Sequence, residues 1–110
     1  MGALASIEYR AKKLRKSLLD NLEARGLYDP VYADMVEDYI TLWTQRAQLD
    51  ADIAERGVTV YDEKREMYVD NICVSRRVQV SHQMLAIYRD LGFREQAVKA
   101  RVPDGEDDEL

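Results

Sequence analysis

The chain has one cysteine, Cys73, and one histidine, His82. An intrachain disulfide is excluded, and so is a zinc site built on several thiolates. Proline occurs only at Pro30 and Pro103, which leaves long stretches free to be helical. Trp43 is the single tryptophan and Phe93 the single phenylalanine. Trp43, Tyr39 and Tyr88 are spaced as core or interface residues, not as a base-stacking platform. No apolar run approaches the roughly 18 residues of a membrane span, and the N-terminal stretch lacks a secretory h-region. The formal net charge is -5, from 16 basic and 21 acidic residues. A uniformly basic nucleic-acid coat is thereby disfavoured, while a local basic patch is not. What is present is 110 residues, 46% of them hydrophobic. That suffices for one domain with a modest core, and we expect a soluble intracellular protein.

Gly26, Gly57 and Gly92 organise the chain. Each closes a helical pattern and precedes an apolar residue: Leu27, Val58 or Phe93. This is the sequence form of a glycine cap in the left-handed conformation. Arg25 and Arg56 stand just before two of them, where a cation complements a helix C-terminus. The first helix is expected over about 4–25, with Leu4, Ile7, Ala11, Leu14, Leu18 and Leu22 on one stripe. The second is expected over about 29–56, capped by Asp29 with Pro30 in its first position. Met35, Tyr39, Leu42, Leu49 and Ile53 form its seam; Val36, Ile40, Trp43 and Ala47 widen it, and Arg46 interrupts it. Residues 58–69 switch to a period of two around the charged run Asp62–Glu66, which predicts a β-hairpin. An isolated hairpin is marginal in water, so it needs helix packing or a neighbouring chain. The third helix is expected over about 71–91, capped by Asp70 or Asn71. Val74, Val78, Ser81, Leu85 and Tyr88 line one stripe, and Val80, Met84, Ile87 and Leu91 an adjacent one. A short helix over 93–101 follows, ended by Pro103. The expectation is a mainly α domain over 1–102, an acidic disordered tail over 103–110, and an oligomeric assembly that covers the surplus apolar faces.

Charge is segregated. Residues 1–25 carry a net +3, residues 26–56 a net -5, residues 57–92 balance, and residues 93–110 carry -3. The plain reading is mutual attraction of ordinary solvated helix faces; the functional one is a first helix that faces phosphates. Catalytic chemistry is sparse. His82 has no nucleophile at a suitable spacing, since the adjacent Ser81 points elsewhere on a helix. Cys73 reads as a small buried residue. Asp34, Glu37 and Asp38 share about one face and could bind a divalent cation, but a solvated face explains them without a ligand. The opening Met1-Gly2-Ala3-Leu4-Ala5-Ser6 fits a myristoylation pattern; the same residues start an amphipathic helix, which is the reading taken here. We expect no catalytic residues, no metal and no cofactor.

The order of elements is also that of a known family. The helix Tyr32-Ala33-Asp34-Met35-Val36-Glu37-Asp38-Tyr39-Ile40-Thr41-Leu42-Trp43 leads to Ile53-Ala54-Glu55-Arg56-Gly57-Val58-Thr59-Val60. After a charged turn comes a helix ending Met84-Leu85-Ala86-Ile87-Tyr88-Arg89-Asp90-Leu91-Gly92-Phe93. Over about residues 29–97 this resembles a family of tailed-phage terminase small subunits. The resemblance implies a non-catalytic recognition subunit of a DNA-packaging motor that forms rings, binds genome DNA and recruits or regulates the large ATPase/nuclease subunit. Its expected partners are double-stranded DNA, the terminase large subunit and further copies of itself, in the cytoplasm of an infected or lysogenic bacterial host. Charge nominates Arg10, Lys12, Lys13, Arg15 and Lys16 as DNA contacts, then Arg76 and Arg77. Surplus apolarity nominates Met35, Tyr39, Trp43, Val60, Val69, Met84, Ile87 and Tyr88 as the oligomer interface. The competing reading is a helical oligomeric adaptor without nucleic-acid binding.

Overall fold

The computed structural model describes residues 3–92. Its elements are α1 (Ala3–Ala24), α2 (Pro30–Arg56), β1 (Thr59–Asp62), β2 (Met67–Asp70) and α3 (Ile72–Asp90). Three helices with a hairpin between the second and third thus lie where glycine and cap spacing predict them. The short helix expected over 93–101, the tail over 103–110 and residues 1–2 lie outside the described residues.

Local chemistry explains the boundaries. Asp29 sits in extended conformation, and its Oδ1 accepts from the Tyr32 amide at 3.0 Å. Pro30 follows at a position whose N–H would have no helical partner. At the end of α1 the Leu27 amide donates to the Leu22 carbonyl at 2.8 Å and the Gly26 amide to Glu23 at 3.0 Å. With Gly26 at φ 73, this is the paired closure expected of a left-handed glycine cap. Gly57 departs from that expectation. Its φ is 90 but its ψ is 178, so the chain leaves α2 extended, and Val58 stays exposed instead of folding back. The cause lies 14 residues on: Asn71 Nδ2 donates to the Gly57 carbonyl at 2.9 Å. The Asn71 amide also donates to the Val58 carbonyl at 2.8 Å.

β1 and β2 pair antiparallel within the chain, with Val60 opposite Val69 and Tyr61 opposite Tyr68. The connection is shorter than expected, because Asp62 belongs to β1 and its Oδ1 accepts from the Lys64 and Arg65 amides. Tyr61 and Tyr68 meet edge to face at 5.2 Å. Both remain exposed, as do Val58 and Met67, while Val60 and Val69 are half-buried.

α2 is the spine: α1 and α3 each pack along it. The densest core lies where α1 and α3 end and α2 begins. Leu18, Leu22, Val36 and Leu91 are buried there, flanked by Leu14, Leu27, Tyr32 and Ile40. Ile7, Ala11 and Met84 are buried too. Arg25 latches this end. It donates to Asn21 Oδ1 and to the Leu91 carbonyl, both at 2.8 Å, so a cation from α1 closes the C-terminus of α3.

The other end of α2 is held by polar contacts. Asn71, 1% exposed, caps α3 by accepting from the Cys73 amide at 2.9 Å. It also donates to Asp52 Oδ2 at 3.0 Å. The Asp52 carboxyl is held at about 2, below the ordinary 3.8, by Arg56 first and then by Asn71 and Cys73. A carboxylate stabilised in the folded state contributes stability that is full above its unfolded value and fades as pH falls toward its folded one. Melting temperature is therefore expected to fall between pH about 4 and about 2 as Asp52 protonates. Asp52→Asn is expected to flatten that part of a calorimetric pH series, and an unchanged slope would remove Asp52 from the account.

Candidate functional site

The cations nominated by charge do not share one face. At about 100° per residue, Arg10 and Arg15 point to opposite flanks of α1. Arg15 pairs with Glu37 of α2, and Lys16 with Asp20 one turn on. Lys13 lies over the Tyr9 ring at 5.5 Å. Lys12 and Lys13 meet no carboxylate among the described residues, and both are exposed. Glu37, one of the three acidic residues considered for a cation, is thus turned to an arginine.

A denser cluster forms where α1, α2 and α3 adjoin. The Arg10 guanidinium lies over Trp43 at 5.5 Å from the ring centroid, within cation–π range. Arg46 donates through an NH1 proton to Ser81 Oγ at 3.2 Å. Arg77 donates to the same Oγ at 3.2 Å and grips Asp50 with its Nε at 2.6 Å and its NH2 group at 3.4 Å. Arg77 thus pairs with Asp50, and Ser81 links it to Arg46. Arg10, Trp43, Arg46, Ala47 and Asp50 line an open cavity of about 230 Å³. Charge counting found Arg10 and Arg77 but missed Arg46, whose signal was its interruption of the α2 seam. Arg76 is placed apart from Arg77. It lines a cavity on the other flank of the α2–α3 seam with Gln45, Gln48, Leu49 and Asp52.

The apolar nominees are used largely inside the chain. Met84 is 2% exposed. Met35, Tyr39, Ile87 and Tyr88 pack against the core, with the Tyr39 and Tyr88 rings 6.2 Å apart. Burial raises the Tyr39 phenol above its ordinary value. Trp43 is half-buried beneath Arg10, and Val60 and Val69 are half-buried opposite each other in the hairpin. The larger exposed apolar surface is elsewhere: Val58, Tyr61, Met67, Tyr68 and Ile72 gather at the hairpin and the start of α3.

The residues considered for catalysis are placed without a shared site. His82 is exposed, while Ser81 is turned to two arginines. Cys73 is half-buried rather than buried, because it sits in the first turn of α3 beside Asp52. That carboxylate raises the thiol above its ordinary value, which disfavours the nucleophilic thiolate. No described helix is long and apolar enough to cross a membrane.

No curated protein and no solved structure matches the chain. A family model described as "Phage terminase, small subunit" matches residues 11–107. The match begins inside α1, further toward the N-terminus than the resemblance over residues 29–97. With well over half of its length so matched, the chain belongs to the phage terminase small-subunit family.

Proposed function

We propose that this DNA-packaging subunit binds double-stranded genome DNA through the outer surface of α1. It does so as a non-catalytic ring of identical copies that recruits or regulates the terminase large subunit in the bacterial host cytoplasm. The observation that carries the DNA reading is the pair Lys12 and Lys13, exposed and without a carboxylate among the described residues. Ammonium groups left free in this way can displace counterions from phosphates, whereas Arg15 and Lys16 already have acidic partners. The overall negative charge is compatible with this, because the acid lies mainly in other segments and a ring multiplies a modest patch.

Self-association is assigned to the surfaces that remain uncovered. The exposed hairpin side chains and Ile72 offer apolar area to a neighbouring copy, and a head-to-tail contact there forms a ring when its rotation closes. Met84, being interior, takes no part. Light scattering at low and high salt is expected to show one discrete high oligomer, and a monomer at both would overturn the ring.

Charge reversal tests the DNA surface. The double variant Lys12→Glu, Lys13→Glu is expected to lower the slope of log affinity against log salt by about 2, at about 0.9 per phosphate contact. Its oligomeric mass is expected to stay that of the wild type. An unchanged slope in a folded oligomer would move DNA binding off this face of α1.

A further inference from the structure

We propose that the cavity lined by Arg10, Trp43, Arg46 and Asp50 is a docking site for one backbone phosphate of duplex DNA. This rests on the DNA-binding reading above and assigns it a specific pocket, not merely a charged helix face.

The cavity is short of acceptors. Each guanidinium carries five N–H donors and no acceptor. The only carboxylate of the cavity, Asp50, is gripped by Arg77 through two of its donor groups. Among the described residues, Arg46 reaches a single hydroxyl oxygen and Arg10 the face of Trp43. Ser81 Oγ already accepts from both Arg46 and Arg77, so its own O–H is left to donate. Among the side chains that line the cavity, Asp50 is the one acceptor, while Arg10, Arg46 and the Trp43 indole are donors. Arg10 and Arg46 are brought together by α1 and α3 each packing along α2, with Asp50 engaged by Arg77.

A phosphodiester supplies what is lacking. Its two non-bridging oxygens accept several donors at once and match the planar fork of arginine. The Trp43 ring, 5.5 Å from the Arg10 guanidinium carbon, restrains that group and lowers its ordering cost. The cavity, about 230 Å³, admits a phosphate but not a base pair, so the contact fixes register on the duplex without reading sequence. Lys13, one turn along α1 from Arg10, extends the positive surface along a backbone seated there.

The single tryptophan of the chain lies in the cavity and reports on it. The full-length protein is titrated with a fluorescein-labelled duplex of about 30 base pairs while anisotropy and Trp43 emission are recorded together; sodium phosphate is titrated separately. The expected result is a Trp43 change that saturates with the anisotropy. Arg10→Gln, at an exposed residue whose contact among the described residues is the Trp43 ring, is expected to weaken duplex binding about 3- to 10-fold and to lower the salt slope by about 0.9. Arg46→Gln, if it folds, is expected to do the same. Duplex binding with unchanged Trp43 emission and wild-type affinity in Arg10→Gln would overturn the pocket and leave the DNA-binding reading intact. A Trp43 response to inorganic phosphate without duplex binding would overturn DNA as the occupant and make this a small-anion site. No duplex binding at low salt and no phosphate response would overturn both the pocket and the reading on which it rests.

Discussion

Replacing Asn71 with alanine is expected to destabilise the protein by about 3 kcal/mol, lowering its melting temperature by roughly 10–20 °C at matched protein concentration. The magnitude has three sources. Loss of the cap that accepts from the Cys73 amide costs about 1 kcal/mol by itself. The carbonyl of half-buried Gly57 then loses its side-chain partner, at a cost of about 1 kcal/mol. Asp52 also loses one of the donors that hold its carboxylate charged. Asn71→Asp separates these contributions. It keeps a capping oxygen but places a second carboxylate against Asp52, so it is expected to be at least as harmful near neutral pH and to recover partly in acid. A loss below about 1 kcal/mol for the alanine variant, measured by urea unfolding, would show that the hairpin is held without Asn71.

Leu22→Ala is expected to cost about 3–4 kcal/mol through a different mechanism. Leu22 is fully buried and packs with Leu18, Val36 and Leu91, so truncation leaves a cavity bounded by three helices. Its carbonyl continues to accept from the Leu27 amide, since that bond is made by backbone. The loss is therefore of packing and not of the cap. Leu85→Ala, at a side chain 44% exposed, is the control and should cost less than about 1 kcal/mol. Equal losses at the two leucines would contradict the placement of the core. Local exchange rates distinguish the two damaged ends: Asn71→Ala should loosen the hairpin first, Leu22→Ala the ends of α1 and α3.

The sequence is most informative where structure depends on near neighbours. Asp29 with Pro30, Gly26 with Leu27, and the alternation on both sides of Asp62–Glu66 each carry their own geometry within a few residues. They delimit α1, α2 and the hairpin. Gly57 shows where that ends: its glycine-arginine context is the same as that of Gly26, yet Asn71, far along the chain, takes its carbonyl. The cluster at Asp50 was hidden for the same reason. Arg77 and Ser81 lie 27 and 35 residues from their partners Asp50 and Arg46. Periodicity correctly marked Met84, Ile87, Tyr39 and Tyr88 as residues that seek cover. It does not say whether the cover comes from the same chain, and the helices supply much of it themselves.

The latch made by Arg25 gives the subunit a head and a foot. By tying the Leu91 carbonyl to α1, it delivers the chain at Gly92 to the pole where α2 begins. The hairpin stands at the opposite pole, beyond the far end of a 27-residue helix about 40 Å long. Anything tethered after Gly92 therefore starts its reach from one end of the molecule while Tyr61 and Tyr68 stand at the other. In an assembly of copies set side by side, these become two separate rims. The separation of the two poles is set by the length of α2 together with α3, which returns along it, so moving them closer would require removing matched turns from both helices, about 5.4 Å per turn.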